Sequence, residues 1–181
     1  MTTYVAMLRG VNVSGRNKLA MDDLRAVVTA AGGSEVRTYI QSGNAVFQSR
    51  GSAAALVGLL ETGLERLMGR AVPVLVRTRQ ELEAVVDTNP FGRRAAAPKA
   101  LYVTFMGAVP EAAAAASVVE TVRGRGEADE LEVIGREVYL LCPNGYGSTK
   151  LTNAFFEKRL GSSATTRNWA TVTKLVELTQ T

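Results

Sequence analysis

The hydrophobic period of this chain switches between strand and helix spacing in an order that few folds satisfy. Tyr4 to Leu8 reads as a strand, and a helix follows from about Ala20 to Ala31 with Met21, Leu24, Val27, Val28 and Ala31 on one stripe and Gly32 as its stop. Two short strands, Val36 to Ile40 and Ala45 to Gln48, flank Gln41-Ser42-Gly43-Asn44, whose Gly-Asn or Ser-Gly centre suits a tight hairpin turn. Ser52 caps a helix carrying Leu56, Leu59, Leu60, Leu64, Leu67 and Met68, Gly69 ends it, and Ala71 to Arg77 supplies another strand. The order β-α-β-β-α-β is the ferredoxin-like arrangement, an antiparallel sheet with two helices on one face.

The remainder follows a related course. A capping box, Thr78-x-x-Glu81, opens a third helix with Leu82, Val85 and Val86 that stops before Asn89-Pro90-Phe91, because the residue before a proline avoids helical geometry. After a boundary at Arg93 to Pro98 come a strand (Ala100 to Met106), an alanine-rich helix opened by Pro110, and a hairpin of Leu131 to Ile134 and Glu137 to Leu141 turning at Gly135-Arg136. A helix from about Leu151 to Leu160 and a final helix capped by Asn168, with Trp169, Val172, Leu175 and Val176, complete a β-α-β-β-α-α pattern. With 181 residues, 46% of them hydrophobic, the chain is long enough for one compact domain with a sizeable core or for two small subdomains sharing an interface. The expected fold class is α+β in two subdomains: residues 1–92 ferredoxin-like, and residues 98–181 a related antiparallel sheet with C-terminal helices.

Several chemistries are excluded by what is missing. The chain has no histidine, which removes Ser-His-Asp, Cys-His and histidine-based metal chemistry. A single cysteine, Cys142, inside an apolar strand pattern excludes an intrachain disulfide and argues against a thiolate metal site. No cofactor is implied, although Mg²⁺ held by carboxylates and substrate phosphates stays open. The apolar runs Leu101 to Met106 and Val138 to Cys142 are strand-length and too short to cross a bilayer. Met1-Thr2-Thr3-Tyr4 leads into a strand without signal-peptide features, so the expected location is the cytoplasm, away from membranes.

Four polar, glycine-bearing cassettes lie at the ends of these elements: Arg9 to Lys18, Gln41 to Asn44, Asn144 to Lys150 and Thr165 to Trp169. Loops of Arg, Lys, Asn, Ser and Gly combine side-chain donors with close backbone approach, which a bound anion or nucleotide requires. The net charge of +4 is unevenly spread: residues 111–137 hold seven acids and three bases, whereas residues 1–21 hold Arg9, Arg16 and Lys18 with no acid. The third cassette is not a Walker A loop, because Thr149 precedes Lys150 and Leu151 follows it. Each cassette also has a bland reading: a solvated connection, a hairpin turn stabilised by Asn44, glycine turns with Thr149 or Thr152 as cap, and Trp169 as core.

The residues Leu8-Arg9-Gly10-Val11-Asn12-Val13, Asn17-Lys18, Leu24-Arg25, Arg37 to Asn44, Asn89-Pro90-Phe91, Lys150 to Asn153, Arg167-Asn168-Trp169 and Thr171 to Leu175 together carry a resemblance. Over nearly its whole length the chain resembles the bacterial family catalogued as domain of unknown function 1697. That resemblance implies a two-part α+β fold with a ferredoxin-like first half and no assigned activity. Ser148 and Ala170 depart from it, standing where the family often has basic or polar residues. The matching positions, and hence the candidate ligand-binding residues, are Arg9, Asn12, Lys18, Gln41, Ser42, Asn44, Lys150 and Arg167.

The leading expectation is a protein that binds a phosphate-bearing ligand, a nucleotide or a nucleic-acid backbone, where cassette loops of the two halves meet. One alternative is an enzyme on a small anionic substrate, with Lys150 or Tyr146 as acid/base and Arg9 as clamp. Another is a structural or self-associating module whose cassettes are turns and caps. No basic-aromatic RNA-recognition motif is present, so phosphate-level contact is favoured over base reading.

Overall fold

The computed structural model describes residues 1–93 and 98–180. The first strand, β1 (Thr2–Leu8), leads through a long loop into α1 (Met21–Ala30), the strands β2 (Ser34–Tyr39) and β3 (Asn44–Ser49), α2 (Ala53–Met68), β4 (Val74–Thr78) and α3 (Arg79–Asp87). There follow β5 (Leu101–Met106), α4 (Ala112–Gly124), β6 (Glu130–Ile134), β7 (Glu137–Leu141), α5 (Asn153–Leu160), β8 (Ala164–Asn168) and α6 (Trp169–Gln180). The strands form two antiparallel four-stranded sheets, ordered β2-β3-β1-β4 and β6-β7-β5-β8. The α+β class in two halves is what the sequence pattern predicts. By contacts the chain separates into Met1–Ala84 with Lys174–Thr181, and Val85–Thr173. The linker expected at Arg93 to Pro98 falls mostly on residues 94–97, which lie outside the described residues.

In the first unit, alternation along the strands sends Tyr4, Ala6, Leu8, Ala45, Phe47, Val74 and Val76 into a core closed by Leu24 and Val28 of α1 and Leu56, Leu60 and Leu64 of α2. The intervening residues Val5, Met7, Val46 and Leu75 are buried as well, so β1 is apolar on both faces. Arg37 of β2 donates from Nη2 to the Leu178 carbonyl at 2.8 Å, tying the last turn of α6 to this unit. Capping follows the sequence: Ser52 accepts from Ala55 N–H, Gly69 ends α2 in the left-handed conformation, and Thr78 and Glu81 exchange the reciprocal bonds of a capping box.

The second unit repeats the first more completely than its sequence suggests. Where the pattern reads β-α-β-β-α-α, the structure inserts β8 between α5 and α6. The strand is hard to read because Thr165, Thr166 and Arg167 look like a polar loop. Their β-branched pair and the long stem of Arg167 are nevertheless accommodated beside β5, where Val103 faces Arg167 and Thr104 faces Thr166. The matching pair in the first unit is Val5 and Arg77, so each sheet buries one arginine on the same edge strand, Arg77 at 1% and Arg167 at 7% exposure. Arg77 Nη1 donates to its neighbour's Val76 carbonyl at 3.1 Å; Arg167 Nη1 donates to Thr165 Oγ1 at 2.8 Å and to the Thr166 carbonyl at 3.0 Å. Burial pulls Arg167 down to about 10, still a cation at neutral pH.

Three boundaries shift for identifiable reasons. Strand β4 starts at Val74 rather than Ala71 because Pro73 has no N–H for the ladder. Helix α5 starts at Asn153 rather than Leu151, since Thr152 is its cap and accepts from Phe155 N–H. The β2–β3 connection is a four-residue loop, Ile40 to Gly43, not a two-residue turn. Asn44 belongs to β3, facing Tyr39, and its Nδ2 donates to the Tyr39 carbonyl and to Ser42 Oγ.

Gly43 is locked there twice over: its φ is +79°, and an added Cβ would lie 2.6 Å from Val11 Cγ2 and 2.9 Å from Leu8 Cβ. Gly43→Ala should therefore cost about 2–4 kcal/mol, the left-handed penalty plus overpacking. Gly10→Ala, with φ +71° but open space around the new methyl, should cost only about 1–2 kcal/mol. Urea denaturation of both variants measures the difference; equal losses would show that the packing against Val11 and Leu8 contributes nothing.

Candidate functional site

The β1–α1 loop is built by hydrogen bonds that its own sequence supplies. As the chain leaves β1, Leu8 N–H donates to the Gly43 carbonyl and Arg9 N–H to the Pro73 carbonyl, both at 2.9 Å. The loop then folds on itself: Asn12 N–H donates to the Asn17 carbonyl and Arg16 N–H to the Val13 carbonyl. Ser14 and Gly15, at its tip, both have positive φ (49° and 74°), the signature of a type I′ turn. Asn12 and Asn17 also adopt left-handed backbone, which asparagine tolerates better than most residues.

Asn12 is the staple of this arrangement. Its Oδ1 accepts from Leu19 N–H at 2.8 Å, and its Nδ2 donates to the Leu19 carbonyl at 2.9 Å and the Gln41 carbonyl at 2.7 Å. The first two cassettes are thereby joined. Asn17 Nδ2 and Arg70 Nη2 both donate to the Gly10 carbonyl at 3.0 Å. What remains at the surface is a groove of about 540 Å³ lined by Arg9, Gly10, Val13, Ser14, Arg16 and Asn17, with no carboxylate among them. Arg16 and Lys18 are exposed, and their side chains bond to no described residue.

The eight candidate residues thus separate by role. Arg9, Lys18 and Gln41 stand at the surface of this loop pair, Arg9 half-buried in the groove wall. Asn12, Ser42 and Asn44 are committed to holding the loops, and Asn44 is fully buried. Lys150 and Arg167 belong to the second unit. Lys150 is 71% exposed and pairs with Glu127 at 2.6 Å, a contact whose hydrogen bond holds the Glu127 carboxyl below the usual carboxylate range. Beside it Thr149 Oγ1 donates to Asp129 at 2.5 Å, so two carboxylates face the third cassette. Arg167 lies inside the sheet as described above. Arg16 and Arg70 are the loop cations absent from the sequence-based selection. Arg16 is legible in the basic run Arg9 to Lys18, whereas Arg70 comes from the α2–β4 connection and has no local signal.

Cys142, fully buried, is pushed up to about 12 by burial and then by the neighbouring Asp129 carboxylate. Burial likewise raises Tyr139, whose hydroxyl bonds to Thr88. Among the described residues no group of three Cys, Asp or Glu side chains is placed to hold a metal ion, and no helix is long and apolar enough to cross a membrane.

Two α+β units of one topology, with a basic turn at the exit of the first central strand, define the structural class. The chain belongs to the family described as protein of unknown function (DUF1697), whose profile matches residues 1–139. Among solved structures it is similar to the conserved bacterial protein SP0830 from Streptococcus pneumoniae, with a TM-score of 0.75, 24% identity, and coverage of 100% of this chain and 99% of that one. At that identity the likeness shows the fold. No curated protein matches.

Two expectations follow. Asn12→Ala should destabilise by about 2–4 kcal/mol, three net hydrogen bonds, while Gln41→Ala should stay within about half a kcal/mol; urea midpoints compare them. Cys142 should resist thiol reagents at pH 8 until denaturant is added. Because its pKa is raised in the fold, its stabilising contribution is complete below the unfolded thiol value of about 8.5 and is lost as pH rises toward 12. Unfolding free energy should therefore fall above about pH 9, by at most about 1.4 kcal/mol per unit for this group. Cys142→Val should flatten that slope.

Proposed function

We propose that this protein binds a phosphate-bearing ligand, a nucleotide or a nucleic-acid backbone, at the β1–α1 loop of its first unit. The observation that supports this reading is the groove in which Arg9 and Arg16 stand together with glycine and left-handed backbone, and with no lining carboxylate among the described residues. Guanidinium groups match phosphate in a bidentate fork. The N–H groups of Ser14 and Gly15, at the turn's tip, bond to no described residue and are free to donate to an anion, as successive amides in such turns do. Lys18 adds charge at the loop's end.

Contact is expected at the level of the phosphate. The sheet aromatics Tyr4 and Phe47 pack on each other in the core, 5.9 Å between centroids, and are not offered to bases. Lys150, facing Glu127 and Asp129, is left out of this site.

The test is a thermal-shift titration with inorganic phosphate, nucleoside mono- and triphosphates, and a short single-stranded oligonucleotide. At least one should raise the midpoint in proportion to its occupancy of the native state. Arg9→Ala with Arg16→Ala should weaken that ligand by about 10- to 100-fold per lost charge-assisted bond, and Arg16→Ala alone, at an exposed side chain, should weaken it while moving the unliganded midpoint little. For the oligonucleotide, affinity should fall steeply with salt and vary little with sequence. A panel without any shift, or a shift untouched in the double variant, overturns the proposal.

A further inference from the structure

The second unit carries a cavity of different character. It measures about 590 Å³, within the range of small-molecule pockets, and is lined by Pro98, Lys99, Tyr102, Asn168, Trp169, Ala170 and Thr173. Its walls are mainly apolar, with an indole and a phenol among them. Tyr102 packs against Tyr146 at 5.1 Å between centroids, which holds one ring of the wall in place.

The unspent polar groups of this lining are one-sided. Asn168 uses its Oδ1 to accept from Thr171 N–H at 2.8 Å, so what it has left is an amide donor. Thr173 turns its hydroxyl back to the Trp169 and Ala170 carbonyls. Lys99 is exposed and its ammonium pairs with no described residue; the Trp169 indole N–H likewise has no partner among them. Among the described residues no carboxylate lines the cavity. Flat apolar walls with amide and indole donors and one cation, Lys99, complement a planar ring bearing a single negative charge.

We infer that the pocket formed by Tyr102, Trp169, Pro98 and Lys99 binds a small aromatic carboxylate, its ring against the Trp169 and Tyr102 side chains and its carboxylate on Lys99 and the Asn168 amide. Ring contact of this kind contributes through burial and stacking, and the ammonium supplies the preference for the anion over a neutral isostere. This site stands on residues other than those of the β1–α1 loop and does not depend on the phosphate reading.

Trp169 is the chain's single tryptophan, so its fluorescence and its indole N–H resonance report on this pocket without ambiguity. The experiment titrates benzoate, the neutral benzamide and inorganic phosphate into the full chain, following tryptophan emission excited at a wavelength benzoate does not absorb and the indole cross-peak by NMR. Benzoate should shift both saturably, and benzamide should bind at least tenfold more weakly. Phosphate should leave the indole signal in place. Lys99→Ala, an exposed substitution that spares the fold, should abolish the preference for benzoate over benzamide, and Tyr102→Ala should weaken both. Arg9→Ala with Arg16→Ala should change none of these. No saturable shift at millimolar benzoate, equal binding of benzamide, or an undiminished preference in Lys99→Ala would each overturn the proposal.

Discussion

The structure of the first unit depends on β1 being paired on both edges and buried on both faces. A strand in that position must be apolar throughout and must hydrogen-bond to β3 on one side and β4 on the other, and Val5, Met7, Ala6 and Leu8 leave it no alternative. The clamp extends one step past the strand: Leu8 N–H is held by the Gly43 carbonyl and Arg9 N–H by the Pro73 carbonyl. The chain therefore leaves the sheet with its direction set by both neighbours. It can turn back toward α1 only through residues that accept left-handed backbone, which is where Gly10, Asn12, Ser14, Gly15 and Asn17 stand. The groove-bearing loop is thus a consequence of the central strand, which sets where Arg9 and Arg16 stand.

This division between scaffold and exposed groups runs through the cassettes. Asparagines do the structural share: Asn12 substitutes for a missing strand partner of Leu19, Asn44 closes the β2–β3 loop, and Asn17 fixes the Gly10 carbonyl. Their polar atoms are consumed inside the loops, as buried or half-buried amides require. Cations differ in fate. Arg77 and Arg167 are taken into the sheets, Arg70 and Lys150 bond to a carbonyl and a carboxylate, and Arg16 and Lys18 are exposed with no side-chain partner among the described residues. Residue type alone does not distinguish them.

The repetition of strand order and of a buried arginine opposite Val5 and Val103 makes the two units alternative solutions of one packing problem. They diverge in where their polar glycine loops fall. The first unit places a basic turn after its central strand. The second carries its glycine loop after β7, where Glu127 and Asp129 neutralise it, and opens an apolar pocket beside the start of α6.

Much of this was legible in the residues themselves. Periodicity located thirteen of the elements' cores, and local chemistry named the caps at Ser52, Thr78 and Asn168, since a helix start needs its side-chain acceptor within three residues. Charge counting found the basic run from Arg9 to Lys18. What sequence could not express is anything set by distant partners. Strand β8 is polar by composition and becomes a strand only because β5 offers an edge; Arg167 looks like a loop cation until the sheet encloses it; Lys150 looks free until Glu127, far back in the chain, reaches it. Local pattern determines which segments are helices and strands because their backbone bonds and apolar stripes are local. Which charges remain available to a ligand is decided only when the tertiary fold has chosen their partners.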